Sequence, residues 1–347
     1  MKHRAVRRRM PGRWLPGRRA AVRGVAVFAV VACVAAGTVV AIGTARATPH
    51  ESAAANRAVS MQVVGDAAQQ ATLAYWTRAR MATATSSPAF AAHGKAGKGS
   101  AAGSDGRSGS AKGDEPPAGT PDPVTFSGVP TVGPLFYTTG AGRHFCTASV
   151  VASSAGSLVM TAAHCVYSSS AGYSKNLEFV PGYANGTHPE GEWPVKEIFV
   201  ASGWRTSQDP KLDVAFLEVV TPSNSVGPIQ IVTGGLKLAF GLPDAQHVTV
   251  IGYNNTSQAP ILCTTNAFRV KLDTMEMYCR SFWIGTSGGP WIIGYRSGKG
   301  TGTVYGVIGG YEAGGYESWA SYSPALEQPA EQLFNQANAT ASAQPAT

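Results

Sequence analysis

The hydrophobic residues in the second half of the chain fall into short runs separated by polar and turn-forming residues. From about Val124, runs rich in Val, Ile, Phe and Tyr alternate with clusters of Gly, Pro, Asn and Ser. This pattern favours β-strands. It predicts strands at or near Ser149–Val151, Ser157–Thr161, Leu177–Val180, Val195–Val200, Val214–Val220, Val248–Tyr253, Ala267–Leu272, Trp291–Tyr295 and Thr303–Ile308.

Helical periodicity is confined to the end of this region. The segment Ser323–Ala337 carries Leu326, Leu333 and Phe334 on a helical pattern, although Pro329 interrupts it. The sequence therefore predicts an all-β domain over 123–337 that ends in a short C-terminal helix, followed by a disordered tail at 338–347.

The N-terminus has the order of charges and apolar residues that is typical of an export signal. Residues 2–23 are rich in arginine, 22 uncharged residues follow from Gly24 to Ala45, and a small-x-small site lies at Ala45-Arg46-Ala47. This order predicts a signal peptide at 1–47 that is cleaved after Ala47. The alternative is an uncleaved membrane anchor, because 22 residues can span a bilayer. Both alternatives export the remainder of the chain, so the protein is expected to be secreted or anchored at the outer face of the membrane.

Two further segments precede the predicted domain. Residues 48–92 are rich in alanine and contain Tyr75-Trp76-Thr77, which resembles the pro-segments of actinobacterial secreted proteases. The alternative is a weak amphipathic helix with no role. Residues 93–122 contain Gly, Ala, Ser or Pro at twenty of 30 positions and no aromatic or branched aliphatic residue. A segment of this composition cannot bury enough apolar surface to offset its ordering entropy, so a disordered linker is expected.

The basic charge of the chain is confined to its N-terminus. The chain has 28 Lys and Arg against 20 Asp and Glu, but ten of the basic residues and none of the acidic ones lie in 1–47. The remainder is slightly acidic, so the charge gives no reason to expect nucleic-acid binding.

The cysteines also indicate an exported protein. Of the five, Cys33 lies in the N-terminal apolar run, and four lie in the predicted domain at Cys146, Cys165, Cys263 and Cys279. None belongs to a CxxC motif, so no metal site is expected. Four cysteines can form two disulfides in an oxidising compartment, and free thiols are the alternative.

Two motifs carry candidate chemistry: Thr161-Ala162-Ala163-His164-Cys165 and Gly285-Thr286-Ser287-Gly288-Gly289-Pro290. Together they resemble the chymotrypsin/trypsin family of serine proteases, in particular its short bacterial members related to the glutamyl endopeptidases. The resemblance covers about Val124 to Phe334. It implies two antiparallel β-barrels with the site between them, His164 as general base and Ser287 as nucleophile.

The resemblance also requires a carboxylate between these two motifs. Asp213 begins the run Asp213-Val214-Ala215-Phe216-Leu217, which is similar to the segment that carries the family's aspartate. Asp209 precedes a proline in a polar stretch and reads as a turn residue. Asp213 is therefore the predicted third member of the triad, with Asp209, Asp244 and Asp273 as weaker candidates.

Further roles follow from the same resemblance. The N–H groups of Gly285 and Ser287 are expected to form the oxyanion hole. Cys146 and Cys165 match the disulfide beside the family's catalytic histidine, which leaves Cys263 and Cys279 as the second pair. Thr286 stands where animal members carry an aspartate that pairs with a new N-terminus, so that activation switch is expected to be missing.

The implied specificity pocket has Ser281 at its base and Ile308, Gly309, Gly310 and Tyr311 as its wall. This pocket has no charged residue, which favours apolar or mid-sized side chains over Arg, Lys or Glu. The sequence thus predicts a monomeric secreted serine endopeptidase that acts on proteins or peptides and needs no cofactor. The alternative is an inactive homologue that serves as an extracellular binding module.

Overall fold

The computed structural model describes residues 59–86, 115–140, 142–254, 258–270 and 273–343. The predicted signal segment, most of the predicted linker and Cys33 lie outside these residues. The described strands, in chain order, are β1 Val59–Val63, β2 Thr85–Ser86, β3 Val124–Thr125, β4 Val132–Thr139, β5 Gly142–Val150, β6 Leu158–Thr161, β7 Tyr167–Ser168, β8 Gly172–Tyr173, β9 Lys175–Phe179, β10 Trp193–Ala201, β11 Ala215–Val219, β12 Lys237–Leu238, β13 Ala245–Gly252, β14 Ile261–Arg269, β15 Thr274–Tyr278, β16 Pro290–Arg296, β17 Thr301–Val307 and β18 Ala320–Pro324.

The helices among the described residues are few and mostly short. They are α1 Asp66–Tyr75, α2 Arg78–Ala82, α3 Ala163–Val166, α4 Ser202–Ser207, α5 Ile229–Thr233 and α6 Gln328–Ser342. None of them combines the length and the apolar character that a membrane-crossing helix needs. The all-β prediction is confirmed, and so is the C-terminal helix.

The first sheet closes into a barrel. Its strands follow the order β10, β11, β6, β5, β4 and β9, and β9 pairs back onto β10. Along these strands the inward residues are large and buried, among them Leu135, Phe179, Ile198 and Leu217. Closure leaves most strand edges paired, and this barrel supplies both segments that carry His164 and Asp213.

The second sheet follows the order β12, β17, β16, β13, β14, β15 and β18. Its end strands β12 and β18 are not paired with each other within the described residues, so here the sheet is open where a closed barrel was expected. Two pairings are parallel rather than antiparallel, namely β12 with β17 and β2 with β5. The connection between the sheets runs over 220–236 and contains α5.

Many of the described strands were not predicted or were predicted only in part; the longer ones among them are β1, β4, β5, β14, β15 and β18. For β4 and β18 the sequences explain the omission, because β4 contains Gly133-Pro134 and β18 is Ala-Ser-Tyr-Ser-Pro. Neither sequence has a run of Val and Ile, and the tertiary contacts override the weak local preference.

The C-terminal helix has the predicted length but begins and ends five residues later, at Gln328–Ser342 rather than Ser323–Ala337. α6 continues through 338–342, which were expected to belong to a disordered tail. Pro329 does not break the helix, because it occupies one of the first two positions of α6, where the missing N–H would have had no helical partner. Phe334 of α6 packs on Phe216 of β11 with ring centroids 5.4 Å apart, which joins the helix to the first barrel.

The last part of the predicted linker is folded as well. Residues 115–122 are among those that the structure describes, Thr120 is buried, and the N–H of Arg280 donates to the carbonyl of Pro121. β3 then pairs with β14 of the second sheet. Backbone hydrogen bonding to a neighbouring sheet orders this stretch despite its small side chains, while residues 93–114 lie outside the described part of the chain.

A carboxylic acid is buried in the wall of the first barrel. Glu178 of β9 lies opposite Phe136 on one side and Pro194 on the other, and its side chain is inaccessible to solvent. Neither carboxyl oxygen has a hydrogen-bond partner within the described residues. Burial, with a smaller effect from the nearby Glu192 carboxylate, raises the pKa of Glu178 from 4.5 to about 9.

This raised pKa predicts a pH-dependent loss of stability. Between pH 4.5 and about 9 the folded state holds a proton that the unfolded state releases, so the contribution of Glu178 is fully present below pH 4.5 and is lost as pH rises through 9. We expect the stability of Glu178→Gln relative to the wild type to rise by about 5 kcal/mol between pH 5 and pH 9, at about 1.4 kcal/mol for each pH unit. Urea unfolding at a series of pH values measures this difference. The exposed Glu331→Gln is the matched control, and parallel curves for wild type and Glu178→Gln would contradict the assignment.

Candidate active site

His164 and Asp213 meet at the edge of the first barrel. His164 lies in α3, one turn after β6 ends, and Asp213 follows a 3-10 helix at Pro210–Leu212 and precedes β11. The imidazole Nδ1 lies 2.7 Å from Asp213 Oδ2, and the backbone N–H of His164 donates to Asp213 Oδ1 at 2.8 Å. The two contacts fix both the ring and the backbone of His164 relative to one carboxylate.

The carboxylate of Asp213 receives a third hydrogen bond from the second sheet. The N–H of Gly310 donates to Oδ2 at 2.7 Å, and Asp213 has no solvent exposure. Three N–H groups offset the cost of removing the carboxylate from water. A Cβ at Gly309 would lie 3.0 Å from Oδ2, a tighter contact than most side chains make, so glycine favours the close approach of the segment after β17.

The other aspartates considered in the sequence have different partners. Asp209 accepts a hydrogen bond from the N–H of Lys211 at 3.0 Å and caps the short helix, as expected for a turn residue. Asp273 pairs with Lys211, and Asp244 pairs with Arg269, at the surface of the second sheet. Among the four candidates, Asp213 is therefore the one that contacts His164.

The turn that carries Ser287 is locked between the two sheets. The N–H of Thr147 donates to the carbonyl of Ser287 at 2.7 Å, and the N–H of Gly288 donates to the carbonyl of Ile308 at 2.7 Å. Gly288 has a φ of +81°, and a Cβ there would lie 2.1 Å from the carbonyl oxygen of Thr147. The hydroxyl of Ser287 is buried and makes no hydrogen bond within the described part of the chain.

Thr147 of β5 is the residue that the sequence analysis missed. Its hydroxyl donates to the carbonyl of Gly285 at 3.1 Å and accepts from the N–H of Tyr253 at 2.9 Å. Its own carbonyl accepts from the hydroxyl of Thr161 at 2.9 Å. Together with its N–H bond to Ser287, Thr147 joins the end of β6 to the serine turn. A threonine in a strand gives no sequence signal for this role, because the partners are backbone atoms distant in the chain.

The backbone at Gly285 leaves two donors available. The N–H groups of Gly285 and Ser287 make no hydrogen bond to any other described residue. Gly285 has a φ of +100°, and a Cβ there would lie 2.6 Å from the carbonyl oxygen of Tyr253 and 2.7 Å from the ring of Phe145. The predicted oxyanion donors are thus held on a turn that has no room for another residue type.

The predicted specificity residues are divided between two segments. Ile308 is buried and exchanges backbone hydrogen bonds with the serine turn, whereas Tyr311 is 43% exposed and stands edge-on against Tyr322. Ser281 has a left-handed backbone with a φ of +63°, and its carbonyl accepts from Asn254 at 3.3 Å. No hydrogen bond joins Ser281 to 308–311 within the described chain, so their common role in one pocket stays a prediction.

Next to this wall, Glu312 also has a positive φ of 51°. Burial raises the pKa of the Glu312 carboxyl above its ordinary value. The segment after Tyr311 is therefore a constrained, partly buried loop that carries an acidic group.

Both expected disulfides are present. Cys146 of β5 is bonded to Cys165 of α3, and Cys263 of β14 is bonded to Cys279. The first bond ties the helix that carries His164 to the strand that carries Thr147. Cys146, His164 and Cys165 lie within 4.8 Å of one another, but both sulfurs are shared in the disulfide and offer no thiolate to a metal.

Solved structures of proteases resemble this fold. Protease Anisep from Arthrobacter nicotinovorans has 26% sequence identity and a TM-score of 0.55, over 62% of this chain and 98% of that one. A thermostable serine protease, AL20, from an extremophilic microorganism has 27% identity and a TM-score of 0.55, over 61% and 98%. A Glu endopeptidase with 18% identity, a TM-score of 0.51 and 64% and 98% coverage shares the fold.

A curated relative matches only a small part of the chain. An extracellular metalloprotease of Bacillus subtilis (strain 168) is 31% identical over 70 residues, which are 20% of this chain and 22% of that protein. The family comparison covers much more. The family model described as Trypsin matches residues 122–317, more than half of the chain and all of the residues that surround Asp213. The chain therefore belongs to the trypsin family of chymotrypsin-like serine-type peptidases.

Proposed function

We propose that this protein is a secreted serine endopeptidase in which Ser287, His164 and Asp213 act as a catalytic triad. The observation that carries the proposal is the buried pair of His164 and Asp213, 2.7 Å apart. Thr147 belongs to the same barrel as this pair, and its N–H donates a 2.7 Å hydrogen bond to the carbonyl of Ser287. The chain order of the three residues and the family are consistent with this assignment.

In the proposed reaction the hydroxyl oxygen of Ser287 attacks the carbonyl carbon of a peptide bond, and His164 Nε2 takes the hydroxyl proton. The carbonyl oxygen becomes an oxyanion that accepts hydrogen bonds from the N–H groups of Gly285 and Ser287. His164 then passes the proton to the leaving nitrogen, which breaks the C–N bond and leaves an acyl group on Ser287. Water attacks this ester with His164 again as base and restores the serine. Asp213 holds the imidazole with its Nδ1–H toward the carboxylate throughout.

The environment of Thr286 supports a site that needs no charged N-terminus for activation. Thr286 is buried, and both its N–H and its hydroxyl donate to the carbonyl of Trp283, at 3.0 and 2.7 Å. Its methyl group packs where a Cβ on Gly252 would otherwise lie. Both of its hydrogen-bond donors are thus used locally, and the threonine side chain itself carries no carboxylate that would attract an ammonium group.

The substrate class follows from the family, whose members cleave proteins or peptides. We propose that the residue on the acyl side of the cleaved bond is apolar or mid-sized. Ser281 and the buried Ile308 supply no charge. The enzyme is proposed to act as a monomer without a cofactor, after export by the segment 1–47. Two disulfides support an oxidising destination.

The triad predicts a graded loss of activity. Ser287→Ala removes the nucleophile and should lower the turnover number by several orders of magnitude and abolish labelling by a fluorophosphonate, with an unchanged unfolding curve. Asp213→Asn should lower the turnover number by about 10⁴-fold because it favours the wrong imidazole tautomer. Asp209→Asn is the matched control. A mild effect at Asp213 with a severe one at Asp209 would refute the carboxylate assignment, and an unlabelled wild type would indicate an inactive homologue.

Thr147 is predicted to position the oxyanion turn. Thr147→Val keeps the shape of the side chain but removes the hydrogen bonds to Gly285 and Tyr253. We expect kcat to fall about 10- to 100-fold with a small change in KM, because the turn acts on the oxyanion that exists only in the transition state. Steady-state kinetics measure this. Thr264→Val, which removes an exposed hydroxyl bonded to Thr249, is the control, and equal effects of the two variants would refute a positioning role.

The N-terminal segments predict two cleavages of the exported chain. Signal peptidase should cut after Ala47, and a second protease should cut within 93–114, where Lys95, Lys98, Arg107 and Lys112 stand in a stretch without apolar residues. N-terminal sequencing of secreted material identifies both sites. Because Thr286 carries no charge, acetylation of the new α-amino group should leave kcat/KM unchanged. A strict need for a free amine would reveal a switch built from other residues, and an intact residue 1 would indicate an anchor.

A further inference from the structure

The N-terminal segment 59–86 precedes the part of the chain that the family model matches, yet it is built into the first sheet. The edge of β10 explains why. β9 pairs only with Trp193 and Pro194 on that edge, and β1 pairs with the other end, from Glu197 to Ala201. Without β1, half of this edge would present unpaired backbone groups.

A buried tryptophan anchors the same segment. Trp76 is 2% exposed, and its indole N–H donates to the carbonyl of Asn176 at 2.6 Å. Its ring lies 5.2 Å from that of Phe136 in β4. Replacing such a buried side chain with alanine typically costs about 3–5 kcal/mol. The contact therefore belongs to a buried hydrophobic cluster that also contains Tyr183 and Phe199, unlike the contacts of a loosely attached peptide.

The end of the segment borders a groove beside the oxyanion turn. A cavity of about 260 Å³ is lined by Met81 and Ala84 from the segment, Phe136 and Phe145 from the barrel, and Tyr253 and Asn254 after β13. β2 runs parallel to β5 at this point and pairs Ser86 with Phe145. The groove thus has an apolar floor. One of its walls comes from Met81 and Ala84, which precede the residues that the family model matches.

The position of Phe145 relates the groove to the substrate. The ring of Phe145 abuts Gly285, at one end of the oxyanion turn, and Ile308 is hydrogen-bonded to Gly288 and Gly289 at the other end. In the proposed reaction the carbonyl oxygen of the peptide binds between these two ends, and the side chain on the acyl side of the cleaved bond lies toward Ile308. The leaving half of the peptide must then pass Phe145. The groove lies where a side chain of that half would pass.

We infer that residues 59–86 stay bound as part of the mature enzyme after the chain is cut in 93–114, and that Met81 and Ala84 form one wall of a subsite for an apolar side chain on the leaving-group half of the substrate. The subsite rests on the proposed peptidase function, whereas the retention of residues 59–86 rests on packing alone. This retention differs from what the resemblance of residues 48–92 to a pro-segment implies, since a pro-segment is removed from the mature enzyme.

The association is tested in a variant that cannot digest itself. The full chain with Ser287→Ala is cut by lysyl endopeptidase within 93–114 and passed through gel filtration in native buffer. We expect the fragment that contains 59–86 to elute with the protease domain and to separate only in denaturant. The same chain with Trp76→Ala should lose the fragment, because the anchor in the core is gone. Elution of the unaltered fragment by itself would overturn the inference, whatever the peptidase activity.

The subsite is tested with active protein and quenched fluorescent peptides that share one acyl half. The first two residues after the cleaved bond are varied among Ala, Leu and Phe. Met81→Ala enlarges the groove and should shift kcat/KM in favour of Phe over Ala at one of these positions by about tenfold. Ala84→Leu fills it and should shift the ratio the other way. Met61→Ala, which truncates an exposed methionine of β1, is the control.

Three results distinguish the possible failures. Unchanged ratios in both groove variants would overturn the subsite while leaving the fragment association intact. A rise in wild-type activity on release of the fragment would identify the segment as an inhibitor and overturn its retention. If the wild type cleaves no peptide and binds no fluorophosphonate, the proposed function fails, whereas the elution of the Ser287→Ala fragment still decides whether the segment is retained.

Discussion

The carboxylate of Asp213 is the point on which the arrangement of the two sheets depends. A charge with no solvent exposure is strongly unfavourable unless hydrogen bonds compensate for the lost water. Here the compensation comes from three N–H groups, two from His164 and one from Gly310. Because His164 belongs to the first barrel and Gly310 to the segment after β17, the carboxylate can be satisfied only when both sheets are in place. The orientation of the imidazole is thus a consequence of tertiary folding.

Thr147 also joins the two sheets, on the side of the site that carries Ser287. Its backbone and hydroxyl contact Ser287, Gly285 and Tyr253, and its carbonyl is held by Thr161. The loop that carries Ser287 therefore has few independent degrees of freedom, since it is fixed to β5 by Thr147 and to the strand end at Ile308. Preorganised backbone donors of this kind can stabilise a developing negative charge without reorganising during the reaction. The glycines at 285 and 288 are required because neighbouring backbone atoms occupy the space of a Cβ.

The sequence was sufficient to predict two sets of contacts that the structure contains. The cysteines pair as expected, and His164 contacts Asp213 and not Asp209, a choice that depended on the apolar run after Asp213. The catalytic roles of these residues and of the serine turn stay predictions. Thr147 could not be predicted, since its partners are main-chain atoms more than a hundred residues away in the chain. Glu178 could not be predicted for a related reason: it lies on the face of β9 opposite to the inward Leu177 and Phe179, and its burial depends on distant segments such as α1 that contact this strand. Strands such as β4, with Gly and Pro among few branched residues, form because their neighbours supply the pairing.

The N-terminal segment 59–86 gives the domain two different starting points, one by family likeness and one by packing. By family likeness the domain begins at residue 122. By packing, the first barrel begins at Val59, because β1 completes an edge that β9 leaves half paired and Trp76 fills a place in the core next to Phe136. Open edges favour non-specific association, so a protease whose own sheet lacked β1 would need another element to cover β10. The segment resembles a pro-segment, but it makes the contacts of a structural strand and helix. Its alanine-rich sequence gives no signal of this role. The face of α1 that packs on β9 and β10 buries Gln69 and Thr72, whereas the alanines at 67, 68, 71 and 74 are exposed.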